Sequence, residues 1–266
     1  MLGFILYVLK LLLLTLGIFV LCGFAVRLCA RLFSSLVGHG SGKVFDVTSV
    51  IGTPIHELGH AMMCPLFAHK ITHIQLWSSR SQNGVYGFVE HTYNPKNPWA
   101  RLGNLFIGLG PIFSGLGIVV LTLWLCFSAQ WEEYLATSQS LVKAGAEPSV
   151  LIKEVFSLLC ALPAALSATP VRAILGIFVI LAVSLHVSLS SADVKGSLGA
   201  LPVYLLMLLV FATATFLAKV NSAIITALEL WNLRLLSLFC VVIAFAAVWV
   251  LIALTVKLIR ALIRWF

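Results

Sequence analysis

Residues 44–68 read VFDVTSVIGTPIHELGHAMMCPLFA, an apolar stretch interrupted in its second half by His56, Glu57 and His60. A helix of this length is enough to cross a hydrocarbon core of about 30 Å. Three ionisable residues within five positions of such a segment are costly unless they pair or bind something. On a helix, His56 and His60 stand at i and i+4, so both imidazoles leave one face a turn apart. That spacing lets two ring nitrogens reach a single Zn2+ at about 2.0–2.1 Å. Glu57, beside the first ligand, then becomes the general base for a water that the metal activates.

The rest of the chain supplies the setting. Of its 266 residues 61% are hydrophobic and 10% are Asp, Glu, Lys or Arg, against about 45–50% and about 25% in soluble domains. The apolar excess falls in long blocks, so lipid rather than water is the expected outer solvent. The fold expected is an all-α polytopic membrane protein of about six transmembrane helices, near 4–27, 44–68, 102–127, 171–192, 199–219 and 235–258. A small β-hairpin is inserted after the second. Residues 1–266 read as one integral-membrane domain, with the chemistry in 44–197. The first block is too long for the apolar core of a secretory signal and is read as a retained span. The net charge of +8 is scattered between apolar blocks, which suits a lipid bilayer and argues against nucleic acid. Six cysteines form no C-x-x-C pair, so neither a disulfide framework nor a cysteine metal site is indicated.

Two connections are long enough to hold structure. Ile71–Trp77 and Val85–Val89 are β-rich runs on either side of the polar segment Ser78–Gly84, a hairpin pattern. Val150–Thr169 is apolar but carries Lys153, Glu154 and Pro163, and is expected to be an interfacial or re-entrant helix. Basic residues divide evenly between the two sides. The compact tail Lys257, Arg260 and Arg264 is typical of a cytoplasmic end.

A catalytic zinc needs a third protein ligand. The histidine that a metzincin would carry six residues after His60 is Leu66 here. Glu90 is one candidate, although it belongs to the hairpin. Asp193, the single acidic residue at the end of the fourth span, is the better one. The second and fourth spans run the same way if 128–170 does not cross, which brings His60 and Asp193 to one side of the membrane. His186, seven residues earlier, falls on nearly the same helical face. It is a candidate for orienting substrate or stabilising the transition state, or an alternative ligand.

Taken in order, these segments resemble the site-2 protease family of intramembrane zinc metalloproteases. His56-Glu57-Leu58-Gly59-His60 lies in a span, the β-rich loop Ile71–Val89 follows, and Gly108-Leu109-Gly110-Pro111 opens a segment similar to the family's A-G-P-x-x-N. Asp193 stands at the end of a later span, where the family has its ligating aspartate. Asp193 is followed by Val-Lys-Gly rather than directly by Gly, the family's preceding prolines are missing, and Ser114 stands near the family's asparagine. The resemblance implies one catalytic Zn2+ held by His56, His60 and Asp193, with Glu57 as base. It also implies a membrane-protein substrate cut in or near a transmembrane segment, and a site toward the cytoplasmic face. A bacterial cytoplasmic membrane is the expected location. The competing expectation is a membrane transporter or sensor that uses the same histidine pair to bind metal without hydrolysis.

Overall fold

Helix starts follow the prolines and short polar residues of the sequence. The computed structural model describes residues 1–38, 41–79, 85–143 and 148–263. The centre of the expected hairpin turn (80–84) and Arg264 of the basic tail lie outside the described residues. The first element is a rod spanning Leu2–Val37, made of α1 (Leu2–Leu12), a π-helical stretch (Leu13–Gly17) and α2 (Ile18–Val37). After α3 (Ser41–Leu66) come strands β1 (Lys70–Gln75) and β2 (Phe88–Thr92). They are followed by α4 (Pro98–Cys126), α5 (Ser128–Lys143), α6 (Pro148–Ala168) and α7 (Pro170–His186). The chain closes with α8 (Ser191–Leu198), α9 (Leu201–Leu217) and α10 (Asn221–Ile263). Pro98 and Pro170 each begin their helix, where the missing N–H is not needed. Asn97 caps α4 by accepting the Trp99 N–H at 3.0 Å.

Among the described residues three helices are long and apolar enough to cross a membrane: Leu2–Val37, Pro98–Cys126 and Asn221–Ile263. A fourth span results if α7 and α8 count as one, although they meet at a 54° bend. Two of the six expected spans do not meet that description. Helix α3 is diluted by its own polar residues, and α9 has 17 residues, about 25 Å of rise. The interval 220–234, expected to separate two elements, is instead the first part of the 43-residue α10. It is tied to the N-terminal rod by the pair Lys10–Glu229 at 2.6 Å and by Asn232, which donates to the Leu14 carbonyl at 2.9 Å. That carbonyl belongs to the π-helical stretch, whose wider turn alters the regular ladder of helical bonds.

The two strands pair antiparallel with Lys70 opposite Thr92 and Gln75 opposite Phe88, and a bulge falls between Ile71 and His73. The second strand therefore sits three residues later than the apolar run Val85–Val89 indicates. A Cβ on Gly87 would lie 2.7 Å from the carbonyls of Gln75 and Leu76, so the chain crosses the end of β1 here instead of pairing with it. The far part of the hairpin is held along α3. Trp77 Nε1 donates to Ser49 Oγ at 2.9 Å, and the Tyr86 hydroxyl to Asp46 Oδ1 at 2.6 Å.

Helices α3 and α4 run antiparallel and touch backbone to backbone. A Cβ on Gly59 would lie 2.4 Å from the Gly110 carbonyl oxygen, and one on Gly110 would lie 2.4 Å from that of Gly59. Gly115 admits Val187, whereas Gly117 has nothing within 4 Å. The main core runs through Leu105, Ile112, Val119 and Leu123 of α4 to Ile180 and Val183 of α7 and Phe239 and Val242 of α10. Helix α6 packs into it through Val155, Leu158 and Ala165.

Candidate metal centre

The close backbone contact at Gly59 and Gly110 fixes how near α4 comes to the two histidines, and the break after α7 brings in the third group. Helix α7 ends at His186 and α8 begins at Ser191. Between them Ser190 forms a capping box with Asp193: Ser190 Oγ accepts the Asp193 N–H at 3.1 Å, and Asp193 Oδ2 accepts the Ser190 N–H at 2.7 Å. Asp193 thus stands in the first turn of a new helix, not at the end of an old one. The cap holds its carboxylate toward α3.

His56, His60 and Asp193 form a group able to hold a metal ion, their donor atoms all within 4.8 Å of one another. His56 Nε2 and His60 Nε2 are 3.2 Å apart. Asp193 Oδ1 is 3.3 Å from His60 Nε2, and Oδ2 is 3.8 Å from His56 Nε2. Ligands at zinc distances with tetrahedral angles lie about 3.3–3.4 Å from one another. The observed separations fit that requirement with little adjustment.

The other ring nitrogens decide what these atoms are. His56 Nδ1–H donates to the His186 carbonyl at 2.6 Å, and His60 Nδ1–H to the Ile107 carbonyl at 2.7 Å. With both protons on Nδ1, each neutral ring turns an Nε2 lone pair toward the other and toward the carboxylate. Three electron-rich atoms converging in this way match a cation's coordination set, and hydrogen bonds to the outer nitrogen are the usual support of a ligating histidine. Both acceptors are carbonyls released from helical bonding. Ile107 lies four residues before Pro111, which has no N–H to offer it. His186 closes α7, where the last carbonyls have no partner of their own helix. The Ser190 N–H that could have reached the His186 carbonyl goes to Asp193 instead.

Glu57 is 7% exposed and faces a cavity of about 1120 Å³ that His56, His60 and Asp193 also line. Gly87 of the hairpin closes over it, with no room for a Cβ 2.9 Å from Glu57 Cγ. The two alternative ligands stand apart from the group. Glu90 is exposed on β2, opposite His73. The His186 ring lies against α3 at Gly52, where a Cβ would come within 2.4 Å of it, and 5.8 Å from Phe45. Its Nδ1 bonds to the Ala182 carbonyl at 3.0 Å. The bend between α7 and α8 breaks the shared helical face expected for His186 and Asp193. His186 serves the centre through its main-chain carbonyl.

Compared with protein-family models, curated proteins and solved structures, the chain matches none.

Four residues in or beside the cavity escaped the sequence reading. His69 is buried, and its Nε2–H donates to the Ala100 carbonyl at 2.7 Å. Its Nδ1 accepts from His91 Nδ1–H at 2.9 Å, so His91 turns its other nitrogen outward from that pair. Burial, then the neighbouring His69 and His60, hold the His91 imidazole below the ordinary histidine range. Arg27 and Arg31 of α2 also line the cavity. For the histidines the readable signal was two such residues flanking a β pattern. For the arginines it was a charge pair at i, i+4 inside a helix otherwise built for lipid.

Proposed function

We propose that this chain is an intramembrane zinc metalloendopeptidase that hydrolyses a peptide bond in or near a transmembrane segment of a membrane-protein substrate. The observation that carries the reading is Glu57 facing the cavity beside three converging donors, two imidazole nitrogens and one carboxylate oxygen. Three protein ligands are the number found in catalytic zinc sites, which keep a fourth position open, whereas structural sites use four. When bound, the ion supplies Lewis acidity, making water nucleophilic near neutral pH and polarising the scissile carbonyl. Glu57 takes the proton from the attacking water and returns it to the leaving amine. His56 and His60 stay neutral donors because their Nδ1 protons are engaged by the two carbonyls.

The cavity volume, about 1120 Å³, lies at or above the range of about 300–1,000 Å³ usual for small-molecule sites, and suits a short extended peptide. In this reading α3 and α9 join the longer helices in a six-span bundle in a bacterial cytoplasmic membrane. A transporter would set its ligands along a path, whereas here the donors meet at one point. The test is Glu57→Gln in proteoliposomes containing a membrane-protein substrate. Zinc content stays at the wild-type level and cleavage is abolished. Continued turnover by that variant overturns the mechanism.

A further inference from the structure

The cavity holds a second charged feature that the hydrolytic residues do not use. Arg27 and Arg31 stand at i and i+4 on α2, and both line the cavity that the hairpin segment Val85–Val89 also lines. Like charges at this spacing repel one another, and guanidinium groups in an apolar helix are costly without a partner. Among the described residues neither forms an ion pair with a carboxylate. Arg27 Nη2 donates to Ser191 Oγ at 2.6 Å, leaving most of its five N–H donors free.

Charge counting over the cavity points the same way. Among the described residues its formally charged lining groups are Arg27, Arg31, Glu57 and Asp193, which sum to zero. A divalent cation on the histidine–aspartate group leaves a surplus of two positive charges. That surplus is concentrated on α2.

Resting on the peptidase reading, we propose that Arg27 and Arg31 form a carboxylate-binding subsite that selects substrates bearing an acidic group close to the scissile bond. Ser191 ties Arg27 to the first turn of α8, the turn that carries Asp193. A carboxylate held there lies within about one helical turn and a side-chain length of the metal group. It therefore belongs to a residue within about three positions of the cut along an extended chain. Guanidinium forks match carboxylates bidentately, and charge-assisted bonds of this kind give a preference of about tenfold to a hundredfold. The carboxylate is an Asp or Glu side chain, or the substrate's own C-terminus.

The experiment uses the full-length protein in proteoliposomes with zinc, incubated with a library of transmembrane peptides. Cleavage sites are mapped by their new N-termini, and only those absent with Glu57→Gln are counted. Asp or Glu is expected at one fixed position within about three residues of the cut, favoured over Asn or Gln by about tenfold or more. Cuts confined to the last few residues of the peptides assign the carboxylate to the C-terminus instead. In Arg27→Gln/Arg31→Gln the acidic-to-neutral ratio falls to about one, and in Arg27→Glu/Arg31→Glu the favoured residue becomes Lys. Binding of a labelled Glu peptide and its Gln counterpart to Glu57→Gln gives the same ratio without turnover. A wild type that cuts without acidic preference, or a double variant that keeps it, overturns the subsite and leaves the peptidase standing. Absence of any Glu57-dependent cut overturns the peptidase reading, and the subsite with it.

Discussion

Replacing Pro111 with alanine tests how α4 supports the metal group. The proline withholds an N–H from the Ile107 carbonyl, and His60 Nδ1–H takes that acceptor at 2.7 Å. Alanine restores an N–H in ordinary helical register, so two donors compete for one carbonyl. A proline inside a helix is about 3 kcal/mol less favourable than alanine. Removing two buried ring carbons costs about 1.6 kcal/mol at about 0.8 kcal/mol each. The metal-free protein should therefore gain roughly 1 kcal/mol of stability. Disturbing the outer hydrogen bond of a ligating histidine costs about 10–100-fold in metal affinity, or about 1.4–2.7 kcal/mol. The two effects have opposite signs, which separates competition from general damage. Chelator-competition titration of Zn2+ in micelles measures the first, and thermal unfolding of the metal-free protein measures the second. Affinity within twofold of wild type beside a stabilised fold refutes the reasoning, since the carbonyl's two lone pairs would then serve both donors. A fall in both quantities refutes it as well.

Asp193→Ala should lose bound zinc on purification while His186→Ala retains it, because His186 contributes a main-chain carbonyl that alanine preserves; metal analysis showing the reverse would make His186 the ligand. Gly59→Ala sets a Cβ 2.4 Å from the Gly110 carbonyl oxygen, so it should cost about 3 kcal/mol or more and weaken metal binding as α3 and α4 separate. Gly117→Ala, where nothing lies within 4 Å, should be neutral or stabilising by up to about 1 kcal/mol, and equal losses at both positions in unfolding measurements would refute the crossing-point argument.

The metal group was legible where chemistry depends on spacing along one helix. His56, Glu57 and His60 follow from the i, i+4 rule and from the cost of charge in an apolar segment. Asp193 followed from chain direction, and α3 and α7 do run the same way, each antiparallel to α4 through the contacts Gly59–Gly110 and Gly115–Val187. The break after His186 was missed because Val187-Ser-Leu-Ser is apolar enough to continue a helix. The cue was present in Ser190-x-x-Asp193, which has the form of a capping box. Reading it would have separated His186 from Asp193. The strand register was missed because Val85–Val89 has strand composition, and only the close approach at Gly87 shows why pairing starts later. The length of α10 was hidden because Glu229, Asn232 and Arg234 look like loop residues until the N-terminal rod supplies partners for the first two.

That both histidines lean on backbone carbonyls has a physical consequence in a low-dielectric setting. Supporting a ligating histidine with a carboxylate is a common arrangement, but here it would add negative charges beside Asp193 and Glu57. Each buried charge without a partner costs several kcal/mol. A divalent ion on this group would offset the two carboxylates Asp193 and Glu57. Carbonyls freed by Pro111 and by the end of α7 orient both rings without upsetting that balance. Their positions are fixed by helix ends and crossings such as Gly59–Gly110, not by side chains. Substitutions that shift backbone, at Gly59, Gly110 or Pro111, therefore reach the metal group more directly than replacement of a side chain such as His186, whose ring the centre does not use.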